Sequence, residues 1–505
     1  MPLLYIWGIE TMNNYLSIDV GTTCCKCQLF SEEGNILEYI SKEYNFLKID
    51  NEIYVDIEKI KDNVMWMIKE VLRKHPITSI CVSSFGESFV LLDKHDNIVF
   101  YPMIYTDSRG EKEAKELTNI FDEQYYFNKT GVIPQAMFSI SKLLYIRNNY
   151  FDKYIKADKA LLICDYVGYL LTGERIIDYS LASRTAVFDI NNLEYDLDIL
   201  NKINVDKNLF SKPMPTGTIV GVIKEDIKKE LNTDLDIKVI LGSHDQVCNA
   251  IGCGCLKPGD ATDGIGTVEC ITPIFDFKSD DVSMAKQGIP IVPFLDKGLY
   301  CTYICNYASN SITNWFKNEI AHKYKGDYDD FFDYIEDKMS DEINDVYCMP
   351  YFAGNCIPYL DIDIKGAFIG LTTSTSDNDM YKSIIEGLAM EMRLEVETGK
   401  KYGINVSKLI ATGGGSLSKK RLQIKADVQN IEVSAPLSQE GGLCGCAMIQ
   451  AVALGQFKTY DEACKVFVKL KETYYPNIDK HNQYEHKYSN YKKMYENIKN
   501  ITRWG

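Results

Sequence analysis

A Gly/Thr turn between two strand-like segments occurs twice, about half a chain apart. The first copy is Tyr15-Leu16-Ser17-Ile18-Asp19-Val20, then Gly21-Thr22-Thr23, then Lys26-Cys27-Gln28-Leu29-Phe30. Glu33-Gly34 turns again into a third strand at Ile36-Leu37, so the spacing predicts an antiparallel meander. The second copy runs Asp260-Ala261-Thr262-Asp263, Gly264-Ile265-Gly266-Thr267, Val268-Glu269. A duplicated half-domain, each half offering one such hairpin, accounts for the pair. Backbone N–H groups and hydroxyls in a turn of this kind suit an anion, and Asp19 suits Mg²⁺, directly or through water. The plainer reading is an ordinary hairpin with a capping aspartate.

The segments between the hairpins read as α/β. Ile60, Val64, Ile68, Val71 and Leu72 keep helical spacing over 57–74. A strand follows at 79–83, then Phe85-Gly86-Glu87-Ser88, where Glu87 near a strand end suits a hydroxylated ligand. Tyr105, Asp107 and Arg109 lie just beyond and can add polar contacts. Residues 110–210 read as helical, ending in a polar cluster of Asp178, Ser180, Ser183, Arg184 and Asp189. Val239-Ile240-Leu241 is a buried strand that stops at Gly242-Ser243, with a carboxylate at Asp245. A strand-end carboxylate near mid-chain is where an α/β protein places a general base; a helix N-cap is the bland alternative. Further on, a helix over 379–401 precedes a strand at 409–412 and the run Gly413-Gly414-Gly415-Ser416, which lets a phosphate or flat ligand approach the backbone. A helix continues through Gln423 and Asp427. Gly441, Gly442 and Gly445 open another, with small residues for close packing.

Bulk properties narrow the function classes. A chain of 505 residues is too long for one ordinary core. The halves 13–246 and 247–505 are read as two domains, with residues 1–12 an extension. Net charge of −16 argues against nucleic acid and anionic membrane as partners, though not against a nucleotide. No apolar run is long enough to cross a bilayer and no export signal is evident, so the expected location is cytoplasmic and the 16 cysteines are expected as reduced thiols. No P-loop, dinucleotide fingerprint or H-E-x-x-H motif is present.

Taken together, these stretches resemble the FGGY carbohydrate kinases over nearly the whole chain, from about Tyr15 to Tyr475. Asp19-x-Gly21-Thr22-Thr23-x-x-Lys26 resembles the family's first phosphate motif. Gly242-x-x-Asp245-Gln246 is similar to the motif with its catalytic aspartate. Gly264-x-Gly266-Thr267 resembles the second phosphate motif, and Gly413 to Asp427 the adenosine motif. The C-terminal signature is met from Gly366 to Glu386; the N-terminal one, at Met137, Ser139, Lys142 and Leu143, has Tyr145 where tryptophan is usual.

The resemblance implies two actin-like, ribonuclease H-like domains flanking a catalytic cleft, with ATP and Mg²⁺ as cofactors. It further implies γ-phosphate transfer to a small sugar or polyol. Asp245 would be the base. Glu87, Tyr105, Gln246 and Asp245 would meet the sugar. Gly21, Thr22, Thr23, Lys26, Gly266, Thr267, Gly413, Gly414, Gly415 and Ser416 would hold ATP, and Asp19 the Mg²⁺. At Phe85-Gly86-Glu87-Ser88 xylulokinases carry a Gln-Met-His-Gly-like sequence and glycerol kinases an Arg-Glu pair; only Glu87 matches the latter. Val90-Leu91-Leu92-Asp93 leans to the xylulokinase side, so a pentulose or similar acceptor of four to six carbons is favoured. Glycerol or a tetritol, a non-catalytic actin-like ATP-binding module, and a Cys-based metal hydrolase are the alternatives. A homodimer is compatible with all of them.

Overall fold

The computed structural model describes residues 13–295, 297–321 and 331–502; the extension read at 1–12 lies outside them. Contacts group the chain into two compact units. One runs through Gly254 and takes back Gly441–Val468. The other is Cys255–Glu440 with the chain from Lys469 on.

The first unit is built on a six-stranded sheet in the order Ile219–Val222, Lys238–Ile240, Ser79–Ser84, Asn14–Val20, Cys24–Ser31, Ile36–Glu43. Asn14–Val20 is antiparallel to Cys24–Ser31 and parallel to Ser79–Ser84, which is parallel to Lys238–Ile240. Parallel neighbours need crossovers. The helix Ile57–Leu72 supplies one, burying Ile57, Ile60, Val64, Ile68 and Val71 and capped by Asp56, whose carboxylate accepts from Lys59 N at 2.9 Å. Within the stretch 110–210, read as helical, Lys159–Leu162 is instead a strand, paired antiparallel with Phe89–Leu92. It is four residues long and buried throughout, and periodicity cannot separate such a run from a buried helical turn.

The second unit repeats this succession. Glu269–Phe275 is antiparallel to Asp260–Ile265, which is parallel to Lys408–Thr412, which is parallel to Glu432–Pro436, with Leu470–Tyr474 antiparallel on the edge. The two Gly/Thr turns therefore occupy the same place in two sheets of like topology. Among the described residues, no helix is long and apolar enough to cross a membrane.

The return of Gly441–Val468 to the first unit departs from a simple division into sequential halves. Its cause is packing of the helix Gly441–Ala453 on the helix Asp245–Gly252. A Cβ at Gly252 would lie 1.9 Å from Gly441 O, and one at Gly445 would lie 1.9 Å from Cys248 O. Only hydrogen fits where backbone meets backbone this closely. Buried Gln450 then locks the helix to the sheet: its Oε1 accepts from Ser79 Oγ at 2.7 Å and its Nε2 donates to Leu16 O at 3.3 Å.

Candidate active site

Strand Lys238–Ile240 runs out into residues 241–244, which cross the end of the neighbouring strand. A Cβ at Gly242 would sit 1.8 Å from Val82 O, so no other residue fits there without moving the backbone. His244 makes a parallel bridge to Ser84. Ser243 Oγ donates to Asp178 Oδ2 at 2.7 Å, and His244 N–H donates to Ser180 Oγ at 3.2 Å. Asp178 also caps the helix Tyr179–Ser183 through Ser180 N and Leu181 N. Asp245 is thus delivered as the first residue of its helix by a loop tied on both sides. Gly242→Ala is expected to push this loop off the strand, lowering the thermal midpoint and removing most activity, as overpacking against fixed backbone costs about 1–3 kcal/mol or more. Paired melting and turnover measurements check this.

The Asp245 carboxyl keeps about a third of its side-chain surface open, 33%. Oδ1 accepts from Gln246 N–H at 2.6 Å and lies 3.1 Å from His244 Nδ1. No hydrogen bond from the described residues engages Oδ2. The pKa is pushed up to about 8, by burial first and then by the Asp19 charge, with Glu87 adding; the Gln246 N–H and Arg184 pull it back. Water at the open third screens these charges and moderates the shift. His244 is pushed the other way, down to about 3, by burial and then by Arg184, so its ring is neutral at ordinary pH.

Glu87 lies beside this loop. Gly86 is so close to the His244 ring that a Cβ there would be 2.9 Å from Cδ2. Glu87 is buried and sits at φ 61°, in the left-handed region that non-glycine residues rarely occupy. Arg184 Nε donates to its Oε1 at 2.6 Å, Nη2 meets the same oxygen, and Ser139 Oγ donates to its carbonyl at 2.7 Å. The sequence placed Arg184 in a polar cluster but did not pair it with Glu87, 97 residues earlier. Tyr105 is half-buried, its ring 6.5 Å from that of Phe85. Gln246 is half-buried with its N–H turned to Asp245.

Asp19 stands opposite Lys26 in the hairpin register and opposite Ser83 across the parallel pair. Ser83 Oγ donates to Asp19 Oδ1 at 2.6 Å. Gly21 N–H closes its own turn onto Cys24 O at 2.9 Å, and Tyr44 Oη donates to Gly21 O at 2.5 Å. The hydroxyls of Thr22 and exposed Thr23 are tied to none of the described residues. Among the described residues, no group of three or more His, Cys, Asp or Glu is placed to hold a metal alone. A single half-buried carboxylate fits Mg²⁺ that keeps most of its waters and phosphate ligands.

In the second unit, Gly266 N–H donates to Val268 O at 2.9 Å, the counterpart of the Gly21 closure. Thr267 is exposed and its hydroxyl is likewise untied. Asn310 N–H donates to Gly266 O at 3.0 Å and Ser309 N–H to Thr267 O at 3.0 Å, fixing the turn on the helix Asn310–Trp315. The strand Lys408–Thr412 passes through Gly413, at φ 78°, into the short turn Gly414–Leu417 and the helix Lys419–Gln429. Gly414 is exposed, and Gly415 is packed against Ile265. Ser416 Oγ makes hydrogen bonds with Gly413 O at 2.8 Å and Gln439 Oε1 at 2.5 Å. Beneath lies a buried charge cluster that the sequence did not disclose. Lys425 pairs with Asp263 and Glu269, while Arg421 Nη2 donates to Glu269 Oε2 at 2.8 Å. Two cations at i and i+4 on an otherwise buried helix were the available signal.

Comparison with known proteins matches this arrangement in order along the chain. Residues 14–252 match the N-terminal domain of the FGGY family of carbohydrate kinases and 293–454 its C-terminal domain. A xylulose kinase of Staphylococcus epidermidis is 24% identical over 494 residues, covering 96% of this chain and 97% of its own. A gluconokinase of Bacillus subtilis is 25% identical over 465 residues, covering 89% and 90%. The ligand-bound xylulose kinase from Lactobacillus acidophilus superimposes with a TM-score of 0.87 at 23% identity, over 96% of this chain and 98% of that one, so the fold is shared. With both domain types matched and both Gly/Thr hairpins in equivalent positions of two like sheets, the chain belongs to the FGGY family of carbohydrate kinases, the sugar phosphotransferases.

Proposed function

We propose that the protein transfers the γ-phosphate of ATP to a hydroxyl of a pentulose or a similar small sugar or polyol, with Asp245 as general base. The observation that carries this is the Asp245 carboxyl: fixed by a tied loop at Oδ1, untied at Oδ2, still open to solvent, and adjoining the Glu87–Arg184 pair. Phosphoryl transfer needs mostly positioning and charge neutralisation, with a carboxylate to take the hydroxyl proton. Oδ2 would accept that proton as the acceptor oxygen bonds to phosphorus and ADP leaves. Glu87, Tyr105 and Gln246 would border the sugar. Thr22, Thr23, Lys26 and the Gly21 turn in the first unit, and Gly266, Thr267 and Gly413 to Ser416 in the second, would hold the nucleotide. Asp19 would hold Mg²⁺ through water, where the ion offsets phosphate charge.

An ADP-release assay against pentuloses, hexuloses, tetritols and glycerol tests the reading. Turnover on a pentulose supports it; preference for glycerol or a tetritol would redirect the substrate class, and silence on every acceptor would favour a non-catalytic ATP-binding module. The pH profile is a second check. Asp245 must be ionised to accept a proton, and its pKa is pushed up to about 8. kcat/KM is therefore expected to rise with pH to an apparent pKa well above that of an ordinary carboxylate and to level off above it.

A further inference from the structure

Cys270 and Cys305 face each other across the sheet of the second unit. They are direct partners in the antiparallel register of Glu269–Phe275 with Ile304–Asn306, and their sulfurs lie 2.8 Å apart. Opposed Cα atoms in such a pair are about 4.5–5.5 Å apart, inside the range that a disulfide spans. An S–S bond of about 2.05 Å therefore asks for less than about 1 Å of closure. Cys270 is buried, whereas Cys305 is half-buried and meets solvent. By contrast, Cys446 Sγ and Cys248 Sγ in the first unit lie 3.8 Å apart but are both 0% exposed, out of reach of an oxidant in solution. Cys356 lies near Cys305 and shares a hydrogen bond with Tyr307, and burial pushes its thiol well up, which keeps it a poor nucleophile.

The Cys270–Cys305 pair sits where the second Gly/Thr turn is anchored. Ile304–Asn306 is a three-residue strand with Cys305 at its centre, and Asn306 pairs with Glu269. The chain then gives Ser309 N–H to Thr267 O at 3.0 Å, Asn310 N–H to Gly266 O at 3.0 Å and Ser309 Oγ to Glu269 Oε2 at 2.6 Å. A pairing this short opens at low cost, and the grip of residues 309 and 310 on the turn loosens with it.

We infer that Cys270 and Cys305 form a reversible disulfide that locks the second Gly/Thr turn and makes nucleotide binding responsive to redox state. The chemistry is exchange with a small-molecule disulfide. The Cys305 thiol loses its proton to water, and the thiolate attacks one sulfur of the oxidant, whose S–S bond breaks to release one thiol. Cys270, deprotonated in turn, attacks Cys305 Sγ, and the mixed disulfide breaks to release the second thiol. The protein gives up two electrons and two protons, and one small disulfide becomes two thiols. The bridge fixes the short pairing at its centre, and a loop ordered in advance binds its ligand more tightly. The link to nucleotide rests on the reading of Gly266 and Thr267 as phosphate holders.

The test equilibrates the full chain with glutathione and glutathione disulfide, traps free thiols by alkylation and maps the peptides by mass. A linked pair of peptides carrying Cys270 and Cys305, two hydrogens lighter than the reduced pair, is expected. The bridged protein should melt about 3 °C or more above the reduced one. It should bind a non-hydrolysable ATP analogue with a Kd lower by about 2-fold or more. Dithiothreitol should reverse all three changes, and Cys305→Ala and Cys270→Ala should abolish them; either variant suffices if the other does not fold. Cys305 held as a mixed disulfide with glutathione, or linked to Cys356, overturns the inference, as do thiols that stay reduced under a large excess of glutathione disulfide. A bridge that forms without moving the Kd sinks the lock. Thr267→Val tells that failure from failure of the nucleotide reading. A Kd raised about 5-fold or more in Thr267→Val, with no redox response in the wild type, condemns the lock alone. A Kd unmoved in Thr267→Val condemns the reading of the turn.

Discussion

Asp245→Asn is expected to lower kcat by about 10²- to 10⁴-fold on every acceptor while leaving nucleotide affinity within about 3-fold. The amide has the shape of the carboxyl and can still accept the Gln246 N–H at its oxygen, so the helix start is preserved. What it loses is the basic oxygen. The same change has a stability signature of opposite sign. Burial and the charges of Asp19 and Glu87 raise the folded pKa of Asp245 from 3.8 to about 8. The native state thus holds the proton more tightly than the unfolded chain does. The stability linked to that proton is fully present below about 4 and is lost as pH rises through about 8. Asparagine cannot ionise, so the variant is expected to melt above the wild type, with the gap opening between those limits. Melting curves at pH 5, 7 and 9, read beside single-turnover ADP release, check both halves. Near-normal turnover in the variant would remove Asp245 from the chemistry, and a gap absent at pH 9 would mean that the carboxyl is not desolvated. A base that is costly to keep charged is consistent with activity and stability being in tension at one residue.

How much of this was legible depends on how far each feature reaches along the chain. The Asp19 and Gly266 hairpins are local: strand, glycine turn and returning strand lie within about 20 residues, and local pattern fixes such a unit. The helix Ile57–Leu72 was equally plain from its spacing, and the strand into Asp245 from its apolar run. Glu87 stood out as a lone carboxylate, but its meaning comes from Arg184, which arrives through the fold and not through spacing. Ser83 and His244, which bond Asp19 and flank Asp245, carry no motif of their own. The strand Lys159–Leu162 was too short to show a period. The return of Gly441–Val468 was hinted at by its small residues, but their partners, Cys248 and Gly252, are set by a crossing that no window of sequence contains.

The buried cluster of the second unit sets the other large effect. Lys425→Met is expected to destabilise that unit by about 3–5 kcal/mol, because removing one member of a buried ion network strands the rest. Lys425 is the shared partner of Asp263 and Glu269, and all three are 0–2% exposed at the side chain. Glu269 keeps Arg421 at 2.8 Å and accepts from Ser309 Oγ at 2.6 Å. Asp263 has nothing in reserve, since its Oδ1 is buried without a partner. Burial opposes ionisation of both carboxyls. At Glu269, Lys425 and Arg421 overcome it and hold the pKa down to about 2, whereas at Asp263 burial prevails and the pKa is raised to about 6. Without Lys425 the Asp263 pKa must rise further, so its protonated form is favoured in the fold and the stability tied to that proton is lost as pH rises. The variant is therefore expected to lose the most stability near pH 8 and to recover part of it near pH 5, in urea titrations at each pH. Adding Asp263→Asn and Glu269→Gln to Lys425→Met should restore part of the loss, as neutral partners no longer need the ammonium. A cost below about 1 kcal/mol for the single change would show that the cluster is not what holds this region. The geometry also gives the variant a functional signature. Asp263 and Glu269 are the two arms of the hairpin bearing Gly266 and Thr267, and Lys425 lies on the helix that follows Gly413 to Ser416. One ammonium thus ties the second Gly/Thr turn to the glycine run, and at temperatures where the variant stays folded its loss should raise the KM for ATP well before it touches the KM for sugar.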